Sequence, residues 1–102
     1  MRSYSTKFLL ELRDADPNLL GVQLGRAVVD ANLPATYVAK VLRVSKTTVY
    51  AWFRGQRVCE DNRSKLEAFI KLLGEDTKAG SLPAKNIHDA KDYLANMVGR
   101  SL

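Results

Sequence analysis

LPATYVAKVLRVSKTTVYAWFRGQR, residues 33–57, is the stretch on which the reading of the whole chain turns. At helical spacing Val38, Ala39 and Leu42 fall on one side of a first short helix. Val49, Trp52 and Phe53 fall on one side of a second. The join between them, Arg43-Val44-Ser45, has room only for a sharp turn. Ser45 suits the N-cap of the second helix, its hydroxyl accepting from the backbone N–H of Thr47 or Thr48. Gly55 follows Arg54 at the point where a stopping helix wants a residue that tolerates positive φ. Two short helices joined this tightly make a helix-turn-helix.

The surrounding composition bounds what that unit can belong to. The chain has 102 residues, enough for one domain and a single modest core. Its hydrophobic fraction of 46% is ordinary, and no apolar run approaches the ~18 residues that a membrane span needs. The polar opening Met1-Arg2-Ser3-Tyr4 does not read as a secretory signal. Cys59 is the only cysteine and His88 the only histidine, which excludes an internal disulfide and any ordinary zinc site. No metal or cofactor is expected, and a cytoplasmic, reducing setting is the expectation.

The net charge of +5 becomes informative once it is located. In 1–39 the bases Arg2, Lys7, Arg13 and Arg26 balance the acids Glu11, Asp14, Asp16 and Asp30. In 66–102 Lys71, Lys78, Lys85, Lys91 and Arg100 balance Glu67, Glu75, Asp76, Asp89 and Asp92. Between them Lys40, Arg43, Lys46, Arg54, Arg57, Arg63 and Lys65 face only Glu60 and Asp61, so the entire excess lies in and just after the helix-turn-helix. A solvated face ordinarily mixes signs; an unbalanced one on a groove-shaped unit is the electrostatic footprint of a polyanion binder.

Ala39 is small where one helix must cross the other, and Leu42 and Val44 bracket the turn. Val49 lies ten residues after Ala39, Trp52 three further on, and Arg54-Gly55 closes the second helix. In these spacings the chain resembles the lambda-repressor-like (Cro-like) helix-turn-helix proteins of phages and bacteria. One departure is plain: four residues after Ala39 that family usually has glycine, and here Arg43 stands. A non-glycine residue at positive φ is tolerated there at a cost on the order of 1 kcal/mol.

The resemblance implies a DNA-binding protein whose helix 45–54 enters the major groove of double-stranded DNA. Carried over position by position, Ser45, Lys46, Thr47, Tyr50 and Ala51 would face base edges. Lys46 would donate to guanine, and Thr47 would hydrogen-bond or touch a thymine methyl. Thr36, Arg43, Arg54, Gln56 and Arg57 would meet phosphates, which position a protein without reading sequence. The N-terminus of the preceding helix, at Ala35-Thr36, would add its dipole. Plainer readings stand beside these. Trp52 belongs to the core by its spacing from Val49, and Tyr50 lies between core and DNA face. The plainer reading of Lys46 and Arg54 is solvated charge, and that of Lys40, Arg63 and Lys65 is surface or phosphate contact. His88 reads as a surface residue and Cys59 as a half-buried loop thiol.

The rest of the chain reads as helices. Residues 4–14 form a short amphipathic one with Phe8, Leu9 and Leu12 inward, capped by Ser5 or Ser3, within an N-terminal extension of 1–16. The next spans 18–31, with Asp16 as cap, Pro17 in its first turn and Leu20, Leu24, Ala27, Val28 and Ala31 inward. After a loop at 56–60 a helix covers 61–75 through Leu66, Phe69, Ile70 and Leu73, completing a DNA-binding core of 18–75. A last helix, 83–98, carries Ile87, Ala90, Leu94, Met97 and Val98, which either close the core or form a dimer contact, for which residues 4–12 are the other candidate. The expected architecture is all-α, one domain of five to six short helices around the helix-turn-helix at 35–54.

Three functions fit these residues. The first is a sequence-specific transcriptional regulator, repressor-like and phage-type, acting as a dimer without a ligand-sensing domain. The second is a weakly specific DNA-binding or architectural protein, because Lys46, Thr47 and Tyr50 are few readers. The third is an antitoxin or adaptor that uses the fold to bind a protein. An enzyme is not expected: no paired carboxylates, no phosphate-cradling glycine loop and no nucleophile with a base are evident.

Overall fold

The computed structural model describes residues 4–98, with side chains through 97, so Ser3 and the side chain of Val98 lie outside the described residues. Six helices follow one another: α1 (Thr6–Asp14), α2 (Leu20–Asp30), α3 (Ala35–Leu42), α4 (Lys46–Phe53), α5 (Glu60–Lys78) and α6 (Ile87–Val98). No strand occurs among the described residues, as the periodicity led one to expect. Helix α2 is the central post, packing on α1, α4 and α5, while α3 bridges α4 and α6. The Cα radius of gyration, 12.5 Å, matches the ~13 Å of a close-packed chain of this length.

Among the described residues no polar or charged residue is buried, and the core is apolar. Phe53, Phe69, Leu24, Leu33, Leu42 and Leu66 are its largest fully buried members, drawn from α2, α4, α5 and the ends of α3. Trp52 is 4% exposed and so belongs to it, as the spacing from Val49 requires. Two glycines let α2 approach its neighbours. A Cβ on Gly21 would lie 2.3 Å from the carbonyl oxygen of Trp52, so α4 rests on bare backbone. Gly25, one turn on, sits under Leu12 of α1 and Phe53 of α4.

Helices α2 to α5 all end in the same way. The two backbone N–H groups past each helix turn back to carbonyls of its last turn: Asn32 to Val29 and Leu33 to Val28, Arg43 to Lys40 and Val44 to Ala39. Gly55 to Trp52 and Gln56 to Ala51, then Gly80 to Thr77 and Ser81 to Asp76, repeat the pattern. The motif needs a residue at positive φ, here Asn32 (58°), Arg43 (60°), Gly55 (100°) and Gly80 (87°). This is how three residues suffice to join α3 to α4.

Several boundaries differ from the expectation. The second helix starts at Leu20 rather than 18 and has no side-chain cap. Asp16 instead closes a turn, its carboxylate accepting from Asn18 N (2.9 Å) and its carbonyl from Leu19 N (3.3 Å). With Pro17 inside that turn, the local polar network outcompetes a longer helix. Helix α5 runs from Glu60 to Lys78, past the expected end at 75: Thr77 stays in the helix with its hydroxyl donating to Leu73 O (2.7 Å), and the chain turns only at Gly80. The last helix begins at Ile87, not 83, with Asn86 accepting from Asp89 N (2.9 Å). Residues 82–84 are held elsewhere: Ala84 N donates to Ala31 O (2.9 Å) and Asn32 Nδ2 to Ala84 O (2.8 Å), while Leu82 is buried. Ile87, expected inward, is 49% exposed; Ala90, Leu94 and Met97 make the inward face.

Candidate nucleic-acid interface

The α3–turn–α4 unit is built from the cap outward. Ser45 Oγ accepts from Thr48 N (3.1 Å) and bonds Thr48 Oγ1 (2.8 Å), fixing the first turn of α4. Arg43 takes the left-handed conformation that ends α3, and its side chain is thrown into solvent. Between them Val44 is half-buried against the core, the apolar contact that accompanies this kind of helix end.

Lys65 completes the turn from outside it. Its Nζ donates to Leu42 O (2.8 Å), a carbonyl at the end of α3 with no helical partner. Lys65 is half-buried rather than plain surface, with one of its ammonium donors spent on the backbone. Arg63 lies on the same helix and pairs with Glu67 one turn on (3.7 Å). Lys40 places its Nζ 5.5 Å from the Tyr37 ring centroid.

Along its own segment the unit carries cations and no acid; the acid that shares a pocket with it is Glu11 of α1, beside Phe53 and Arg54. From 31 to 59 the chain holds Lys40, Arg43, Lys46, Arg54 and Arg57 and not one carboxylate, and all five side chains are exposed. Thr36, Ser45, Thr47 and Gln56 are exposed with them, while Thr48 and Ala51 are half-buried. At the start of α3 the first helical bonds reach Pro34 O from Tyr37 and Val38, so the N–H groups of Ala35 and Thr36 precede any helical acceptor.

Two of the residues assigned to base edges carry internal duties. Ser45 spends its hydroxyl on the cap. Tyr50 is half-buried, its ring 5.7 Å from Phe8 and 5.8 Å from Phe53, with Lys46 Nζ 5.9 Å from its centroid. Tyr4 joins the same cluster, stacked on Phe8 at 5.3 Å, and its hydroxyl donates to Leu33 O (2.6 Å) just before α3. Burial, and secondarily the neighbouring Tyr50, raises the Tyr4 phenol well above the ordinary tyrosine range, so it stays a neutral donor. Residue 4 and α1 therefore brace both ends of the unit, against Leu33 and against the flank of α4.

Arg26 ties that brace to α2. Its Nη2 donates to the carbonyls of Leu12 (3.3 Å), Arg13 (2.8 Å) and Ala15 (3.2 Å), closing the C-terminal end of α1. Gly21, Lys65, Arg26 and the Tyr4–Phe8 pair were not singled out from sequence as supports of the unit. A signal existed for one of them: Gly21 and Gly25 share a helix face, the spacing at which small residues admit a close neighbour. For Lys65 and Arg26 there was none, since their acceptors are backbone carbonyls 23 and 11 to 14 residues away.

Cys59 is exposed rather than half-buried and precedes α5, with Asn62 Nδ2 donating to its Sγ (3.3 Å). His88 is exposed. Among the described residues no group of three or more His, Cys, Asp or Glu side chains could hold a metal ion, and no helix is long and apolar enough to cross a membrane. No family model, no curated protein and no solved structure matches the chain.

Proposed function

We propose that the protein binds double-stranded DNA with α4 in the major groove and acts as a sequence-specific, repressor-like transcriptional regulator of the lambda-repressor-like kind, two copies reading a symmetric site. The observation that carries this reading is the exposure of five cations, in a segment (31–59) that holds no carboxylate of its own, on and just after a tightly turned helix pair. In this reading Arg43, Arg54 and Arg57 neutralise phosphates, with Thr36 and Gln56 beside them. Lys46 and Thr47 are the principal readers, donating to guanine and contacting thymine, and Ala51 lies against a base edge. Ser45 and Tyr50 contribute by fixing the pose of α4, with only their outer edges left for DNA.

That reduced set of readers favours a second reading, weak specificity. One good bidentate contact discriminates a base pair by ~1–3 kcal/mol, and two side chains per copy give a narrow margin over random DNA. Selection of bound duplexes from a random pool, with the footprint recorded, separates the two. A two-fold symmetric consensus supports the regulator. Recovery of unenriched sequence supports an architectural role, and no recovery at low salt refutes both.

A further inference from the structure

On the side of α3 turned toward α6 lies a groove of about 180 Å³, lined by Tyr37, Lys40 and Val41 of α3 and Lys91, Leu94 and Ala95 of α6. Each helix contributes an i, i+3, i+4 triplet, the spacing that puts three side chains on one face. The floor is apolar, and among the described residues the charged side chains lining it are two lysines, one from each wall. Lys40 is held at the rim by its approach to the Tyr37 ring, 5.5 Å to the centroid. Ile87, 49% exposed, falls one turn before Lys91 on the same face of α6 and extends the apolar strip beyond the groove.

The size of the groove selects its occupant. Sites for free small molecules run to roughly 300–1,000 Å³, and this one is smaller, suited to one or two anchoring side chains of a larger partner. Its charge selects further. A second copy docked face to face across a two-fold axis would bring both lysine pairs together, a like-charge contact that costs rather than binds. We infer that the α3/α6 groove docks an amphipathic helix of a partner protein, with a leucine or phenylalanine anchored over Val41 and Leu94 and acidic residues facing Lys40 and Lys91. This goes beyond the DNA reading and does not depend on it, since Lys91, Leu94 and Ala95 belong to α6.

The test uses the whole chain and a designed peptide helix with leucines on one face flanked by glutamates. Its twin carries lysines in place of the glutamates. Amide chemical shifts are expected to move at Tyr37, Val41, Leu94 and Ala95 with the acidic peptide. Binding should weaken about tenfold for the lysine twin and for Lys91→Glu, the effect of reversing one partly desolvated charge pair. Ala95→Glu, an exposed position on the groove wall, should weaken it further with the circular dichroism unchanged. The inference is overturned if the peptides bind equally, if the shifts centre elsewhere, or if no binding is seen. Concentration-dependent self-association that moves these same amides without peptide overturns it in favour of a second copy.

Discussion

A methyl group added at Gly21 would meet the Trp52 carbonyl at 2.3 Å, whereas one added at Gly74 would meet nothing within 4 Å. Both glycines are helical, so both replacements gain the ~1 kcal/mol by which alanine exceeds glycine in helix interiors. At Gly74 that gain is the whole effect, and Gly74→Ala should stabilise by ~0.5–1 kcal/mol. At Gly21 the clash with backbone cannot be relieved by a rotamer change, and Gly21→Ala should destabilise by a net ~1–3 kcal/mol. Urea denaturation of the pair decides it; the same sign for both would contradict the packing of α2 on α4. Arg43 offers a second residue-scale test. Its positive φ is one glycine adopts freely, so Arg43→Gly should raise stability by ~0.5–1 kcal/mol. If Arg43 also meets a phosphate, the same variant should bind DNA more weakly, with a melting curve and a binding isotherm moving in opposite senses.

At the scale of elements, the end of α3 is held by side chains as well as by its own backbone. Lys65→Met keeps the stem and removes the donor to Leu42 O, which should cost ~1 kcal/mol of stability. Because Lys65 is occupied internally, the salt dependence of DNA binding should not change; a shallower dependence would return it to the phosphate contacts. The helices themselves were legible in the sequence wherever an apolar stripe met a cap, as in α3 and α4 with Ser45, Arg43 and Gly55. Boundaries were illegible where a tertiary bond or a local turn took over. Asp16 prefers its turn to capping α2, and Ala84 pairs with Ala31 across 53 residues instead of extending α6. Ile87 fits the apolar period of α6, but its helix begins at that residue and its side chain faces outward.

At the scale of the molecule, the charge distribution was fully legible and the bracing of α4 was not. Counting residues locates the cations, but nothing in the order of residues places Tyr4 and Phe8 of the first segment on the flank of Tyr50. That contact changes the candidate site: it turns Tyr50 from a free reader into a wall of the aromatic cluster and leaves Lys46 and Thr47 as the outward pair. Under the proposed DNA-binding role, specificity would rest on few side chains and affinity on several cations, and the two should separate on mutation. The most direct measurement is a fluorescence anisotropy titration of a selected duplex and a scrambled one across salt concentrations, for the native protein, Lys46→Ala and Arg54→Gln. The expected result is tighter binding to the selected duplex, with log affinity falling linearly against log salt for both. Lys46→Ala should narrow the gap between duplexes, and Arg54→Gln should make both slopes shallower by about 0.9, one phosphate's worth of released counterion. Absence of binding at low salt, or slopes and preferences indifferent to both substitutions, would contradict a DNA-reading role for α4.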